Sequence, residues 1–251
     1  MSGFDSLFFI KLASDFRREL LLQKRRLVDT FSGKTRRFAN SGSNLDFLLS
    51  DAVELIQPVP RTTHSENKIK NILIASEIIN QTIIHPDEIF SFWHLVGRPA
   101  HRRGFREGRM LIRGKTDTEI GGGLCQLSGL LYHLSLLAGL EVLERHAHSV
   151  DIYREEERFT PLGADAAVVF GRKDLRVENR YPFPIRFQIH FQEDSLTGRL
   201  ESREKLQKRN ILFNRNPLSP QFEEVQTYFL EAGKSTMHRR AIYARNLSPM
   251  E

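Results

Sequence analysis

The sequence predicts an α+β fold with helices in its amino-terminal part, one central helix, and strands in its carboxy-terminal part. Residues 5–30 repeat apolar side chains at helical spacing, whereas Ile185 to Phe191 alternate apolar and polar residues as a half-buried strand does. Between them, residues 124–138 form an apolar helix that carries the one cysteine of the chain. We therefore expect a cysteine-bearing helix packed on a mainly antiparallel sheet.

The first 44 residues are predicted to form a basic helical extension. Nine of the first 40 residues are Lys or Arg and four are acidic, so this segment holds a net charge of +5, most of the chain's +6. Such a cluster can meet phosphates, anionic lipids or acidic polymers, or it can be a solvated helix face. No zinc spacing or interleaved aromatic residues accompany it, which makes nucleic acid an unfavoured partner.

Residues 45–205 are predicted to form the core domain, and residues 206–251 a tail that packs on it. The core should contain helices over residues 45–56 and 65–80, the first ending before two prolines. The buried face of the second helix is predicted to be Ile69, Ile72, Leu73, Ser76 and Ile79. Strands are predicted over residues 110–112, 141–145, 166–170, 174–178 and 185–191, the first of them closed by residues 113–116. For the tail we expect a terminal strand and a loop.

The composition excludes several classes of protein. Apolar residues make up 40% and charged residues 27% of the chain, as in ordinary globular proteins. No stretch approaches the ~20 uncharged apolar residues that a membrane-spanning helix needs. A single cysteine cannot form an internal disulfide. We therefore expect a cytoplasmic protein without a transmembrane segment, and we assign it no cofactor.

The most unusual stretch of the chain is Gly121-Gly122-Gly123, followed closely by Cys125 and Gln126. Glycines permit backbone conformations that are closed to other residues and let another group approach. On a helical wheel the cysteine lies opposite the leucine stripe, in the first helical turn, where free N–H groups favour a thiolate. A nucleophile would be placed in this way, but so would a small buried cysteine beneath a tight turn. The residues alone leave both interpretations open.

A pair of histidines, His146 and His148, follows the central helix. In a strand both would point to the same face, where one of them could act as a base beside a cysteine. A third group would orient that histidine, and the candidates are Asp151, Asp165 and Asp174, with Asp165 as the first choice and Asp174 as the second. A cysteine at a helix start with a histidine from a later strand is the arrangement of transglutaminase-like and papain-like enzymes, so we compare the fold with theirs by analogy. The catalytic hypothesis therefore names Cys125, His148 or His146, and Asp165, in an acyl-transfer or amide-cleaving enzyme.

Two other interpretations of this region are considered. Zinc could be bound by the cysteine and the two histidines, but their spacing is not a strong zinc signature, so we assign no metal. Alternatively, the amides of residues 121–123 could hold an anion together with Arg102, Arg103 and Arg106, with Gln126 as a further donor. The second alternative is a non-catalytic module that binds an anionic or peptide-like ligand.

Several blocks of the sequence, in order and at matching spacing, resemble the VanW-like family. They extend over roughly residues 70 to 195, and the most specific are Gly-Gly-Gly-Leu-Cys-Gln at 121–126 and Glu-Arg-His-Ala-His-Ser at 144–149. The family is named after an accessory protein of B-type vancomycin resistance clusters. The resemblance implies a link to vancomycin resistance and cell-envelope metabolism, and hence a ligand from the cell envelope. It implies no established reaction.

Overall fold

The computed structural model describes residues 4–42, 47–59, 65–112, 115–151, 155, 158–231 and 233–245. For residues 4–15, 109–112 and 115–118 it describes the backbone alone, and for the others it also describes the side chains. The helices of this part of the chain are α1 (Phe4–Phe31), α2 (Ser65–Asn80), α3 (Phe92–Val96) and α4 (Leu124–Leu137). Its strands are β1 (Asp51–Pro58), β2 (Ile83–Ile84), β3 (Ile89–Ser91), β4 (Glu107–Ile112), β5 (Lys115–Ile120), β6 (Glu141–Glu144), β7 (Val150–Asp151), β8 (Arg176–Glu178), β9 (Ile185–Gln192), β10 (Ser195–Ser202), β11 (Asn210–Ser219), β12 (Phe222–Glu231) and β13 (Lys234–Arg245). The α+β class is confirmed.

The strands form four small sheets in place of the single sheet that was expected. Their orders are β1-β10-β9-β2, β11-β12-β13-β7, β3-β8-β6 and β4-β5. Neighbouring strands are antiparallel except for β13 and β7, which are parallel. Of the helices that the structure describes, none combines the length and the apolar character needed to span a membrane.

Helix α4 lies at the centre of the core. On one side, Leu130 and Leu134 pack against Gly198 of β10. On the opposite side, the extended segment 164–168 covers the helix, and the Ser128 hydroxyl donates to the Ala166 carbonyl at 2.6 Å. Both sides of the helix are therefore covered, and its cysteine-bearing face is the side that the segment 164–168 covers.

The predicted helices over 5–30, 65–80 and 124–138 are confirmed, whereas the predicted helix over 45–56 is wrong. Residues 51–58 form β1, antiparallel to β10, and its inward-facing side chains alternate with exposed ones. Two residues apart, Val53 and Leu55 both pack on the core, which is a strand period and not a helical one. On α2, Leu73 is 47% exposed, contrary to prediction.

The predicted strands near β6, β8 and β9 are confirmed to within two residues. Strand β4 begins three residues earlier than predicted, and its partner β5 was not predicted. Of residues 113–116, which are predicted to close this strand, 115 and 116 belong to β5, and 113 and 114 lie outside the described residues. The strand predicted over 166–170 is wrong, because this segment bonds to α4 and to residue 146 and forms just one isolated bridge, between Val169 and Lys173.

Residues 210–245 form a three-stranded antiparallel meander, which corrects the prediction of one strand and a loop. Its strand β12 turns Val225, Thr227 and Phe229 toward the interior. The last strand, β13, pairs with β7 and brings a fully buried tyrosine, Tyr243, against the core. The predicted boundaries at residues 44 and 205 stay predictions.

Candidate active site at the start of helix α4

Cys125 lies in the first turn of α4 and is half-buried, with its Sγ atom 3.7 Å from the carbonyl oxygen of Val168. Within the described part of the chain, no acceptor lies in hydrogen-bonding geometry with the backbone N–H of Cys125. Burial alone would raise the pKa of the Cys125 thiol, but the hydrogen bond and the charge of His148 outweigh it and lower that pKa. The lowered pKa favours the thiolate form of Cys125. The backbone N–H of the same residue is left without an acceptor among the described residues.

The imidazole of His148 is oriented by Asp165. Its Nδ1 atom lies 2.7 Å from Oδ2 of Asp165, and the same oxygen accepts the backbone N–H of His148 at 2.7 Å. Burial lowers the pKa of His148, but the hydrogen bonds with Asp165 and Cys125 raise it to about 10. With Nδ1 committed to the carboxylate, the Nε2 side of the ring is left for the thiol.

Two buried side chains hold the carboxylate itself. The Arg145 guanidinium donates to Oδ1 of Asp165 at 2.7 Å, and the hydroxyl of Tyr243 donates to the same oxygen at 2.6 Å. Burial raises the pKa of Asp165, but the charge of Arg145 and the hydrogen bond from His148 hold it well below its usual range. We call Arg145, His148, Asp165 and Tyr243 the Asp165 cluster; it keeps the carboxylate ionised.

The sequence analysis missed both Arg145 and Tyr243. Arg145 could have been found from the sequence, because it directly precedes the two histidines and a carboxylate in the interior needs a positively charged partner. The tyrosine gave no such signal, since it lies 78 residues from Asp165 along the chain and reaches it from β13.

The second histidine of the pair has a different partner. His146 places Nε2 2.9 Å from Oε1 of Glu144, and that oxygen also accepts the backbone N–H of Asp174. Strand β6 ends at Glu144, so His146 and His148 do not lie in a strand, and strand alternation gives no reason for them to share a face. Among the described residues, no group of three or more His, Cys, Asp or Glu side chains could hold a metal ion.

The other candidate orienting residue belongs to a separate buried group, which we call the Asp174 cluster. Its members are Asp29, Glu144, Asp174 and Arg176. Oδ2 of Asp174 accepts the Ser91 hydroxyl at 2.6 Å and Nε of Arg176 at 3.0 Å. Both oxygens of Asp29, on α1, accept the Arg176 guanidinium at 2.6 Å. This cluster joins α1 to the core.

The glycine turn is shaped by the protein's own packing. A Cβ atom on Gly122 would lie 2.3 Å from the backbone carbon of Gly108, so these two segments touch because both lack side chains. Gly123 has a φ of +97°, and a Cβ there would meet the stem of Lys68 at 2.5 Å. Burial lowers the pKa of Lys68 to about 8. The groups that approach the glycine turn closely are therefore residues of the same chain, Gly108 and Lys68.

Two of the three turn amides are also occupied. The N–H of Gly121 donates to the Arg106 carbonyl at 3.0 Å, and that of Gly122 donates to the Glu119 carbonyl at 3.3 Å. The buried Asn71 side chain bonds the backbone of Arg106 and the Gly122 carbonyl, at 2.7 to 2.9 Å. These bonds tie the arginine loop to the glycine turn, and they leave those two amides no free donor for a ligand.

The remaining predicted ligand-binding residues divide into two groups. Gln126 is buried and donates to the Pro58 carbonyl at 3.1 Å, so its amide is turned toward β1. Arg103 donates to the carbonyl of Val96, at the end of α3, at 2.6 Å and to that of Arg98 at 2.9 Å. Arg102 and Arg106, in contrast, are exposed. Ligand binding by these residues stays a prediction, and the two exposed arginines are best placed for it.

Comparison with known proteins places this chain within a family. The family model described as VanW like protein matches residues 67–201, just over half of the chain. The uncharacterized protein YoaR of Bacillus subtilis (strain 168) is 32% identical over 124 residues, which are 49% of this chain and 39% of that protein. Vancomycin B-type resistance protein VanW of Enterococcus faecalis (strain ATCC 700802 / V583) is 31% identical over 137 residues, which are 55% of this chain and 50% of that protein.

The chain thus spans half or less of the length of these two curated relatives. No solved structure is significantly similar to it. The matched residues 67–201 contain Cys125, His148 and Asp165, whereas Tyr243 and the α1 residue Asp29 lie outside them. On the family match, the chain belongs to the VanW-like proteins.

Proposed function

We propose that this protein is a cysteine-dependent enzyme that transfers an acyl group or cleaves an amide. One observation carries the proposal: His148 hydrogen-bonds to a fixed carboxylate, Asp165, and lowers the pKa of the Cys125 thiol. Nucleophile, base and orienting group are the three roles that acyl transfer requires. A cysteine at a helix start with a histidine from a later segment is also the arrangement of papain-like and transglutaminase-like enzymes, an analogy of site alone.

In the proposed reaction, the Cys125 thiolate attacks the carbonyl carbon of an amide or thioester. A C–S bond forms, and the carbonyl π electrons move to oxygen, where the free N–H of Cys125 can stabilise the negative charge. The tetrahedral intermediate collapses as the bond to the leaving group breaks, and the His148 imidazolium donates its proton to that group. Water or a second amine then attacks the thioester with His148 as base, and the thiolate is restored.

The substrate class follows from the family link. A relative is named for vancomycin resistance, which favours cell-envelope metabolism as the setting. Peptide amides and esters of the envelope contain the acyl groups that this chemistry needs. We therefore extend the proposal to a peptide-like envelope substrate.

The test is a single-turnover reaction with a chromogenic acyl thioester, in which the acylated protein is identified by intact mass. Acylation should occur on Cys125, be abolished in Cys125→Ala, and slow by about 100-fold in His148→Gln. The matched control is His146→Gln, which alters the neighbouring histidine and should stay within about twofold of wild type, because it bonds to Glu144. Equal rates for the two histidine variants would contradict the proposal.

A second candidate function is a non-catalytic module for anionic or peptide-like ligands. It is favoured by the exposure of Arg102 and Arg106 on a loop that is bonded to the glycine turn. In this case Arg102→Ala with Arg106→Ala should weaken the binding of a short acidic peptide in titration calorimetry, whereas Cys125→Ala should leave it intact. The opposite pattern would remove this candidate.

A further inference from the structure

Helix α1 contacts the rest of the protein through its charged face. Three of its residues form ion pairs with the core: Arg18 with Glu119, Arg25 with Glu144 and Asp174, and Asp29 with Arg176. The stem of Arg18 and the side chain of Leu22 pack over Gly171. Residues 18, 22, 25 and 29 are spaced by three or four positions, so they form one face of the helix. This face is the one turned inward.

The opposite face of α1 is an apolar stripe open to solvent. Phe16, Leu20, Leu27 and Phe31 lie within about 60° of one another at 100° per residue. Their side chains are 66%, 55%, 58% and 88% exposed. Surface helices normally turn such a stripe toward the core, which α1 does not do. An apolar stripe of this length marks a surface that another body covers.

The charges around the stripe decide what covers it. Arg17 and Lys24 flank it and are exposed, and Lys34 and Arg36 follow its carboxyl end. Apart from Arg18, Arg25, Asp29 and Arg37, which bond to the core, residues 16–37 contain five basic residues and one acidic residue. A second copy of α1 would bring this excess of positive charge against itself. An anionic surface complements the charge, and a bilayer interface also accepts the aromatic and leucine side chains.

We propose that α1 docks this protein on the surface of an anionic lipid membrane. Phe16, Leu20, Leu27 and Phe31 enter the boundary between headgroups and acyl chains, while Arg17 and Lys24 contact the lipid phosphates. The helix lies in the plane of the interface. Because its inward face binds the Asp174 cluster, the core is held above the lipid on that side. The proposal is independent of the chemistry at Cys125.

The experiment measures sedimentation of the full chain with vesicles. We expect binding to vesicles of phosphatidylcholine with phosphatidylglycerol, weaker binding to phosphatidylcholine alone, and a decrease with added salt. The variant Leu20→Glu with Leu27→Glu should bind the anionic vesicles at least about tenfold more weakly. Its matched control is Met237→Glu with Ile242→Glu, which charges two exposed apolar residues on β13 and should leave binding unchanged.

A second measurement does not depend on the folding of the charged variants. Phe31→Trp keeps an apolar aromatic side chain on the stripe, and its added emission should shift to the blue with anionic vesicles. Absence of vesicle binding, or no emission shift, would overturn the proposal. So would a concentration-dependent dimer in sedimentation velocity that Leu20→Glu with Leu27→Glu abolishes, because a second copy would then cover the stripe. Binding to duplex DNA, weakened by that variant, would likewise reject lipid as the partner.

Discussion

The Asp165 cluster and the Asp174 cluster draw on the same short segment of chain but serve different purposes. Of the residues in 144–148, Glu144 belongs to the Asp174 cluster, and His146 bonds to Glu144. Arg145 and His148 belong to the Asp165 cluster. Each contains carboxylate and arginine side chains, and a histidine bonds to a carboxylate of each. Residue types alone therefore do not distinguish a site of chemistry from a structural joint.

The difference lies in what the histidine contacts besides its carboxylate. His148 also interacts with a half-buried thiol, whose pKa it lowers. His146 bonds to Glu144, whose pKa is about 2, because its hydrogen bonds and the charge of Arg25 outweigh a burial that would raise it. In the Asp174 cluster, Arg176 and Arg25 pair with the carboxylates and hold α1 on the core; in the Asp165 cluster the histidine lowers the pKa of the Cys125 thiol. The predictions below test this contrast.

The largest effect is expected when Arg176 is replaced by Met. This substitution leaves the buried carboxylate of Asp29 without its arginine and leaves Asp174 with Arg25 alone, 3.8 Å away, which should cost about 3–5 kcal/mol in the free energy of unfolding. Urea denaturation measures it. Lys208→Met is the control, because Lys208 pairs with Asp51 at the surface and should cost about 1 kcal/mol or less. Equal losses would mean that the Asp174 cluster is not a structural joint.

The next largest effect is expected when Asp165 and Asp174 are each replaced by Asn. Asp165→Asn removes the charge that holds His148 as an imidazolium, so acylation by the thioester probe should slow by about 100-fold. Asp174→Asn should destabilise the fold but leave the acylation rate of the folded protein within about twofold. If both variants lost the same reactivity, the two clusters would be one functional unit and our distinction between them would be wrong.

The pH dependence of thiol alkylation gives a smaller effect. Because the pKa of the Cys125 thiol is lowered by His148, the wild-type protein should react with iodoacetamide near pH 6.5 about tenfold faster than His148→Gln. His146→Gln should match wild type across the profile. A profile of His148→Gln that coincides with wild type would remove His148 as the partner of the thiol.

The same histidine predicts how stability changes with pH. The pKa of His148 in the folded protein, about 10, lies above the ordinary value of about 6.5. Its stabilising contribution is therefore complete below pH ~6.5 and is lost as the pH rises through about 10. Wild type should lose more thermal stability than His148→Gln between pH 7 and pH 10, as scanning calorimetry would measure.

Sequence reasoning reached the parts of the molecule that local patterns determine. Helix α4 follows from its apolar run and its flanking glycines, and Cys125, His148 and Asp165, which lie within 40 residues of one another, were named together. The choice between His146 and His148 could not be made, because it depends on where β6 stops pairing with β8. Their catalytic role remains our proposal.

Other features depend on contacts that no local pattern records. The residues of β1 carry an apolar run short enough to fit either a helix or a strand, and pairing with β10 decides between them. The spacing of the apolar residues in α1 predicts a helix, but a helical period does not tell which face of the helix points inward. Here the buried partners of Arg25 and Asp29 decide the orientation, and both partners are distant in sequence.

The smallest effect is expected from Tyr243, the one long-range member of the Asp165 cluster. Tyr243→Phe removes a 2.6 Å hydrogen bond to Oδ1 of Asp165, but Arg145 still donates to that oxygen. The carboxylate therefore stays ionised and His148 stays oriented. We expect acylation to slow by about threefold and the free energy of unfolding to fall by about 1 kcal/mol.

Tyr228→Phe is the matched control, because its hydroxyl bonds to Gln226 within β12 and touches neither cluster. A loss for Tyr243→Phe as large as that of Asp165→Asn would show that the tyrosine, and not Arg145, keeps Asp165 charged. The site would then depend on β13, a strand outside the part of the chain that matches the family. No loss at all would make the tyrosine a packing residue, and the Asp165 cluster would be contained within residues 67–201.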